Sequence, residues 1–362
     1  MAYITLNKKK LQHNYKELDE LFKEHHIEWA AVVKLLCGNE LFLKQVLDLG
    51  INEVCDSRIS NLKTVKAIRP DVQTVYIKPP AKENVREVLE CADVTFNTEY
   101  DTIKLLSDTA VEMGISHKIL IMIELGELRE GVMRDEFIDF YQKVFDLPNI
   151  KVIGIGANLT CMYGVLPSED KLLQLCLYKQ LVEAKFNQEI PYISGGASVT
   201  IPLIYKGLMP DAVNHFRVGE TLYMGTNAYE NKPYNNMYND VFKLYAQIIE
   251  LNEKPYVPSG EMGYNLSGEK IEFDTSQRGE VGLRAIVDIG LLDVEDSHLT
   301  LTEEEQEIIG ASSDMMVIDL KDNKNNLDVG DFIEFRMDYM GILRIMNSDY
   351  IEKKLEVGQI AL

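Results

Sequence analysis

The chain has 362 residues, 46% of them hydrophobic, so it is long enough to bury a large core and to form two domains. Its 37 Lys and Arg against 58 Asp and Glu give a net charge of -21, which disfavours nucleic acid and anionic lipid surfaces as partners. Five cysteines without a CxxC pair, no signal-peptide pattern and no membrane-length apolar run predict a reduced cytoplasmic protein with no zinc ribbon or other metal site.

From about residue 8 to 228, short apolar runs rich in β-branched residues alternate with stretches of helical periodicity, which is clear over 41–49 and 137–145. Eight such units favour a closed (β/α)8 barrel of the TIM type. An open doubly wound sheet would carry a GxGxxG turn after its first strand, and none is present there. The predicted barrel strands are 28–34, 53–56, 74–78, 94–97, 118–124, 151–158, 192–195 and 215–218.

After residue 233 the pattern changes to alternating runs separated by charged turns, which is typical of antiparallel β structure. The predicted strands are 241–251, 280–289, 314–320 and 331–337. We therefore predict a barrel over 8–228 and a mostly β domain over 234–362, with residues 1–7 pairing with the β domain.

Lys34 ends the first predicted barrel strand, and the active site of a (β/α)8 barrel lies at the C-terminal ends of its strands. Burial there would disfavour the charged form and favour the neutral, nucleophilic amine. A strand also ends in lysine where the chain simply returns to water. The other strand ends decide between these two interpretations.

Two glycine-bearing segments, 195–198 and 217–220, follow the last two strands, where this fold most often binds phosphate. Small residues let backbone N–H groups approach an anion, and a serine hydroxyl adds a donor. A lysine across one barrel mouth from a phosphate site indicates a phosphorylated aldehyde cofactor. Pyridoxal 5'-phosphate is the obvious candidate.

With these features in this order, the chain resembles the fold-type III pyridoxal-phosphate enzymes of the alanine racemase family, and within it the ornithine racemase branch. The resemblance implies a homodimer with shared active sites that interconverts L- and D-ornithine, or a related basic amino acid such as lysine, by Cα proton abstraction and reprotonation. The motifs that carry it are VKLLCG (33–38), DSRISN (56–61), LGELREGV (125–132), NLTC (158–161), GASSD (310–314) and DYMG (338–341).

The resemblance also implies residue roles. Lys34 would form the Schiff base and act as one acid/base at Cα, and Arg217 would contact the pyridine nitrogen. Arg129 would brace the ring hydroxyl side and the substrate carboxylate, Asn158 would lie where alanine racemases have a ring-stacking histidine, and Asp314 would reach the substrate across the dimer. The residues that would hold the phosphate are Ser198, Gly219, Glu220 and Tyr350.

An arginine beside the pyridine nitrogen has a chemical consequence. A guanidinium stays protonated at any working pH, so the nitrogen remains unprotonated and the ring is a weak electron sink. The resulting carbanion is short-lived, and immediate reprotonation favours racemisation over transamination. The alternative for Arg217 is an ordinary ion pair at the barrel end.

The chain departs from the family at the second acid/base. Where alanine racemases carry a tyrosine, 289–294 reads IGLLDV, and neither Leu291 nor Leu292 can carry a proton. The candidates are Cys161, which is alternatively a buried inert thiol, and Tyr339 or Tyr264 of the β domain; Tyr339 is alternatively a core aromatic.

The substrate and the reaction leave further alternatives. A distal ammonium in a partly desolvated pocket requires a carboxylate. The missing tyrosine keeps open a decarboxylase, or a D-amino-acid aldolase or dehydratase, with the same cofactor. A non-catalytic pyridoxal-phosphate carrier is the third interpretation, although short carriers lack the β domain. The carboxylates that could face a distal ammonium are Glu127, Glu130, Glu220 and Asp293.

Overall fold

The computed structural model describes residues 1–230, 232–264, 268 and 270–356. They form two compact units, one of residues 8–241 and one that joins residues 1–7 to the described residues from 242 onward. The last six residues of the predicted β domain lie outside the described part. No helix in the described part is long and apolar enough to cross a membrane.

The first unit is the predicted barrel of parallel strands. A helix of seven or more residues follows each of the first six strands, and a five-residue helix follows each of the last two. Its strands are Glu28–Val32, Glu53–Asp56, Gln73–Tyr76, Val94–Asn97, His117–Met122, Ile150–Gly156, Tyr192–Ser194, Gly196–Ala197 and His215–Val218. Its helices are Lys8–Glu24, Glu40–Leu47, Ile59–Ile68, Val85–Cys91, Tyr100–Met113, Phe137–Phe145, Glu169–Phe186, Ile201–Tyr205 and Glu220–Met224. A short strand pair, Thr226–Asn227 with Lys232–Pro233, follows the last helix.

The seventh barrel strand is divided at Gly195, and this division completes the circle of strands. Its first part, Tyr192–Ser194, pairs with Ile150–Gly156, and its second part, Gly196–Ala197, pairs with His215–Val218. The last strand in turn pairs with the first, Glu28–Val32. The barrel therefore contains the eight predicted strands, and the seventh is split into two short strands that pair with different neighbours.

An apolar cluster of inward-facing side chains fills the middle of the barrel, and removal of this surface from water stabilises the fold. Gly154 and Gly156 make room for it, because a Cβ at either would lie under 3 Å from the Leu120 side chain. The cluster consists of Ala30, Val32, Cys55, Val75, Val94, Phe96, Leu120, Met122 and Ile153.

The second unit is a largely antiparallel sheet with one helix, Tyr339–Asn347. Its longest strand changes partner at a bulge near residues 248–250, from the strand at 332–337 to the strand at 281–287. The N-terminal strand pairs with the strands at 242–255 and 352–355. The strands are Tyr3–Leu6, Phe242–Pro255, Val281–Val287, Leu299–Leu301, Glu307–Ala311, Met316–Asp319, Phe332–Met337 and Glu352–Leu355.

Candidate active site

Lys34 lies just beyond the first barrel strand, which ends at Val32, two residues earlier than predicted. It begins a short 3-10 turn, Lys34–Leu36, and its side chain is exposed. The prediction that its own barrel buries this lysine in a low dielectric is therefore wrong. The amine is instead accessible at the C-terminal end of the strands, where a cofactor would be met.

Asp56, at the end of the second barrel strand, organises the turn beside Lys34. Its carboxylate accepts hydrogen bonds from the backbone N–H of Arg58 (2.8 Å) and the amide of Asn61 (3.1 Å). Burial raises the pKa of Asp56, and these donors and the Lys34 ammonium oppose that shift. Gly38 packs so closely on Asn61 that a Cβ would lie 2.6 Å from its Oδ1. The motifs at 33–38 and 56–61 thus meet in space.

Arg217 is buried inside the barrel, with 7% of its surface exposed. Its Nη1 donates to the carbonyl (2.7 Å) and hydroxyl of Ser194, and its Nη2 donates to the carbonyl of Ala157 (2.8 Å). The guanidinium lies over the Phe96 ring at 5.3 Å from its centre. Among the described residues its partners are carbonyl and hydroxyl oxygens, so the alternative of a barrel-end ion pair is wrong.

These hydrogen bonds occupy three of the five N–H groups of Arg217. Burial lowers the pKa of Arg217, and the ionisable groups around it, including Glu130 and Cys161, oppose that shift. A guanidinium nevertheless stays cationic at neutral pH. The remaining N–H groups can meet an acceptor at the barrel mouth.

The two glycine-bearing segments contact each other near the ends of the last two strands. The Ser198 hydroxyl accepts a hydrogen bond from the backbone N–H of Thr221 (3.2 Å), which joins the ends of the last two strands. Gly219 packs on the first strand, because a Cβ added at this position would lie 3.2 Å from the Cβ of Val32. Gly196 faces the Phe216 ring so closely that a Cβ would overlap it at 2.1 Å. The segment at 195–198 is therefore a packed element rather than a flexible turn. Glu220 begins the helix that follows the last barrel strand.

Arg129 lies in a loop that folds back onto the fifth barrel strand. The Glu124 carboxylate accepts hydrogen bonds from the backbone N–H of Leu128 (3.0 Å) and Arg129 (3.3 Å). Gly131 has φ +148°, and a Cβ there would lie 2.3 Å from the Glu124 nitrogen. Arg129 Nε lies 2.8 Å from an oxygen of Glu130, so the loop presents an ion pair at the mouth.

Glu127 joins this loop to the one after the sixth strand. One of its oxygens accepts from the backbone N–H of Met162 (2.5 Å) and Tyr163 (2.9 Å), and the other accepts from Val165 (3.0 Å). Although burial opposes it, these donors hold the pKa of Glu127 below its ordinary value. Both oxygens have backbone partners, so its candidacy for a distal substrate ammonium is wrong.

Asn158 and Cys161 lie together after the sixth strand. The Cys161 thiol donates to Asn158 Oδ1 at 3.4 Å, while Asn158 Nδ2 is buried and has no hydrogen-bond partner among the described residues. Cys161 is exposed, so the alternative of a buried inert thiol is wrong.

The remaining predicted site residues belong to the second unit. Tyr339 is half-buried at the start of its helix, and Tyr264 is exposed. Tyr350 is 86% exposed, and Asp314 is also exposed. Their roles at the barrel mouth stay predictions.

The loop at 289–294 packs against the GASSD motif at 310–314. The backbone N–H groups of Leu291 and Leu292 donate to the carbonyls of Ser312 (2.9 Å) and Ser313 (2.8 Å). A Cβ at Gly290 would lie 2.6 Å from the Asp314 nitrogen. The structure thus brings Leu291, Leu292 and Asp314 to one edge of this unit.

Sequence reasoning did not find Ser194 or His215. Both lie inside the barrel next to Arg217, where serine and histidine in a short strand give no distinct pattern. The available signal was the spacing, because His215 and Arg217 are two residues apart and must share a strand face.

A family model described as alanine racemase, N-terminal domain, matches residues 6–227. An ornithine racemase from Acetoanaerobium sticklandii is 37% identical over 97% of this chain and 99% of its own length. A lysine racemase from Thermotoga maritima is 28% identical, with 98% of each chain covered.

Solved structures give the same fold at low identity. An alanine racemase from Bartonella henselae with covalently bound pyridoxal phosphate has a TM-score of 0.71 at 16% identity, with 98% of this chain and 99% of that one covered. A D-threonine aldolase from Filomicrobium marinum also has a TM-score of 0.71 at 13% identity, with 98% and 91% covered. The fold alone therefore does not select the reaction.

Proposed function

The chain belongs to the alanine racemase family, and we propose that it is a pyridoxal-phosphate-dependent racemase that interconverts the L and D forms of a basic amino acid, ornithine or lysine. The observation that carries the proposal is the 37% identity with an ornithine racemase over almost the whole of both chains. The relative named lysine racemase, also matched end to end, supports a diamino acid substrate.

The residues at the barrel mouth fit pyridoxal 5'-phosphate. Arg217 is a buried cation with N–H groups to spare, and Asn158 has a buried amide nitrogen without a described partner. In this proposal Arg217 meets the pyridine nitrogen and Asn158 the ring. The residues that would hold the phosphate are Ser198, Gly219, Glu220 and Tyr350. When bound, the cofactor withdraws electrons from the amino acid joined to it, which weakens the Cα–H bond.

Lys34 supplies the amine that holds the cofactor, and it serves as acid/base on one face of Cα. Because Lys34 is exposed at the mouth, the substrate's amino group can replace its amine on the cofactor. Once displaced, the same amine takes the proton from Cα of one enantiomer or returns it. Arg129 orients the substrate carboxylate.

Cys161 is the acid/base that we place on the opposite face. It is exposed after the sixth strand, and its thiol donates to Asn158 Oδ1 at 3.4 Å. Tyr339 is the second candidate and would have to come from the partner subunit's β domain. A thiol can hold the proton that Leu291 and Leu292 cannot.

Glu130 is the carboxylate that we assign to the distal ammonium of the substrate. Its side chain is largely buried, and burial raises its pKa, so an added cation would favour the ionised form. Glu130 Oε2 lies 2.8 Å from Arg129 Nε but has no hydrogen bond of suitable geometry among the described residues. Glu127 is engaged by backbone, and Asp293 accepts from Ser348 (3.1 Å).

We also propose a cytoplasmic homodimer with shared sites, in which Asp314 reaches the partner's barrel. All five cysteines are free thiols, which suits a reducing compartment. Leu292 is 79% exposed beside Asp314, with the exposed Leu291 and Met315 nearby in sequence, and an apolar edge of this kind is typical of a protein interface.

The test is incubation of the cofactor-loaded protein with L- or D-ornithine, lysine or alanine in deuterated buffer, followed by chiral separation and mass spectrometry. We expect both enantiomers of ornithine or lysine to appear with one deuterium at Cα, at higher kcat/KM than for alanine. Release of carbon dioxide or an aldehyde, or recovery of undeuterated substrate, would overturn the proposal.

A further inference from the structure

A row of buried polar side chains runs through the barrel interior to Arg217. The Arg217 guanidinium donates to the Ser194 hydroxyl, and Ser194 Oγ lies 2.6 Å from His215 Nδ1. On the other side of the ring, His215 Nε2 lies 3.0 Å from a carboxylate oxygen of Glu53. Gln73 Nε2 donates to the second oxygen of Glu53 at 2.5 Å. Ser194 is fully buried and His215 nearly so, which makes every unpaired donor or acceptor here costly.

The hydrogen-bond directions follow from the chemistry of the groups. An arginine only donates, so Ser194 Oγ accepts from Arg217, and its own hydrogen needs another acceptor. His215 Nδ1 is the acceptor within reach, which places the imidazole proton on Nε2. That proton is then donated to the Glu53 carboxylate. Only one set of hydrogen-bond directions therefore gives every donor and acceptor in the row a partner.

The far end of the row is fixed as well. Glu53 and Gln73 begin the second and third barrel strands, at the opposite end of the barrel from Lys34. Although burial opposes it, His215 and Gln73 hold the pKa of Glu53 below its ordinary value, so the carboxylate stays ionised. Its charge lies on the side of His215 away from Arg217. The row therefore ties the guanidinium to a fixed anion several side chains away.

We propose that Ser194 and His215, anchored by Glu53, are positioning residues that hold the Arg217 guanidinium on the cofactor's pyridine nitrogen and so limit the loss of turnovers to transamination. The inference rests on the proposed function, because Arg217 meets that nitrogen only in a pyridoxal-phosphate enzyme. A guanidinium held in place keeps the nitrogen unprotonated, whereas a displaced one exposes it to protonation.

The side reaction differs from racemisation in where the proton returns. In racemisation the proton taken from Cα is replaced at Cα. In transamination it is delivered to the cofactor's C4' carbon, and water then cleaves the C=N bond to the substrate carbon. A keto acid leaves, and the cofactor retains the amino group as pyridoxamine phosphate. A protonated pyridine nitrogen stabilises the charge long enough for this second outcome.

The chain contains a matched control for deletion of a buried hydroxyl. Thr95 Oγ1 lies 3.0 Å from His117 Nε2, and both residues are buried. This second hydroxyl–imidazole pair belongs to the fourth and fifth strands and makes no described hydrogen bond to Arg217. Ser194→Ala and Thr95→Val therefore remove similar groups, but only the first interrupts the row.

The experiment reconstitutes the wild type, Ser194→Ala, His215→Asn and Thr95→Val with pyridoxal phosphate labelled with ¹⁵N in the ring. Two quantities are measured: the ¹⁵N chemical shift of the bound cofactor, and pyridoxamine phosphate formed per racemisation event with ornithine. We expect Ser194→Ala to move the shift toward that of the protonated free cofactor and to raise the transamination ratio about tenfold, the scale of one hydrogen bond to a charged group. Thr95→Val should change neither.

His215→Asn is the second variant, because an asparagine amide oxygen can still accept from Ser194 while the donor to Glu53 is lost. We expect His215→Asn to change both the ¹⁵N chemical shift and the transamination ratio less than Ser194→Ala does. A shift and ratio equal to the wild type in both variants, with cofactor bound, would overturn the inference and leave the proposed function intact. Failure of the unsubstituted protein to bind the labelled cofactor would instead overturn the proposed function.

Discussion

Lys34 and Arg217 lie in opposite environments within the barrel unit. The Lys34 amine is exposed on a 3-10 turn, whereas the Arg217 guanidinium is buried and held by strand carbonyls. An amine that must exchange partners needs access, and a cation that must keep one partner needs a fixed place. The contrast supports a mobile role for the lysine and a fixed one for the arginine.

Cys161→Ser tests the second acid/base. A serine hydroxyl is far less acidic than a thiol, so we expect racemisation to fall by about 10²-fold or more. Lys34 would still remove and return the proton on its own face. Cα exchange of one enantiomer in deuterated buffer, followed by mass spectrometry, should therefore persist without inversion.

Tyr339→Phe is the matched comparison, because it also deletes one acidic hydrogen from a candidate acid/base. It should retain racemisation. If Tyr339→Phe instead shows exchange without inversion while Cys161→Ser racemises normally, the tyrosine carries the role and the assignment to Cys161 is wrong.

At the level of strands and loops, much of the barrel could be predicted from sequence because parallel strands buried on both faces read as short apolar runs. The helix at 137–145 has the predicted bounds. The division of the seventh strand at Gly195 could not be predicted, since it depends on which neighbour each part pairs with. In the second unit, the strand Glu307–Ala311 is partly exposed along its length and lacks the alternation that reveals a half-buried strand.

The sequence predicts where the loops at the barrel mouth lie along the chain, but not their conformation. That Glu124 and Glu127 hold them through backbone N–H groups depends on loop geometry that a sequence pattern does not encode. The sequence alone therefore places Glu127 among the carboxylates that could bind the substrate, whereas its side chain connects two loops. Glutamate is common in this chain, so its presence in a loop carries little information.

Glu127→Gln tests that connection. The amide has one acceptor oxygen and would point N–H groups at a backbone donor, so we expect the free energy of unfolding to fall by about 2 kcal/mol at neutral pH. Because the folded-state pKa is lowered, the advantage of glutamate is present above its unfolded pKa of about 4.3 and is lost as the pH falls through the folded value. Denaturant unfolding between pH 3 and 7 measures the difference.

Glu90→Gln is the control, as the same change at an exposed glutamate on an outer helix. It should leave the free energy of unfolding nearly unchanged across this range. A Glu127→Gln penalty that is absent at pH 7, or that grows as the pH falls, would contradict the connecting role.

For the whole molecule, the sequence predicted a barrel followed by a mostly β region because the two halves differ in hydrophobic period. The barrel unit supplies Lys34, Arg129, Asn158, Cys161 and Arg217, and the other unit carries Asp314, Tyr339 and Tyr350. A racemase with sites shared between two subunits would use both sets. The sequence could not locate the exposed edge at Leu292, because exposure depends on how two loops pack.

In the proposed enzyme one amine, that of Lys34 just after the first barrel strand, holds pyridoxal phosphate. The most direct measurement is borohydride reduction of the cofactor-loaded protein, followed by proteolysis and mass spectrometry of the labelled peptide. We predict that the phosphopyridoxyl group is on Lys34, that Lys34→Ala abolishes the label, and that Lys44→Ala, at another exposed lysine, retains it. A reducible label on another lysine, or one that persists in Lys34→Ala, would contradict the assignment of Lys34.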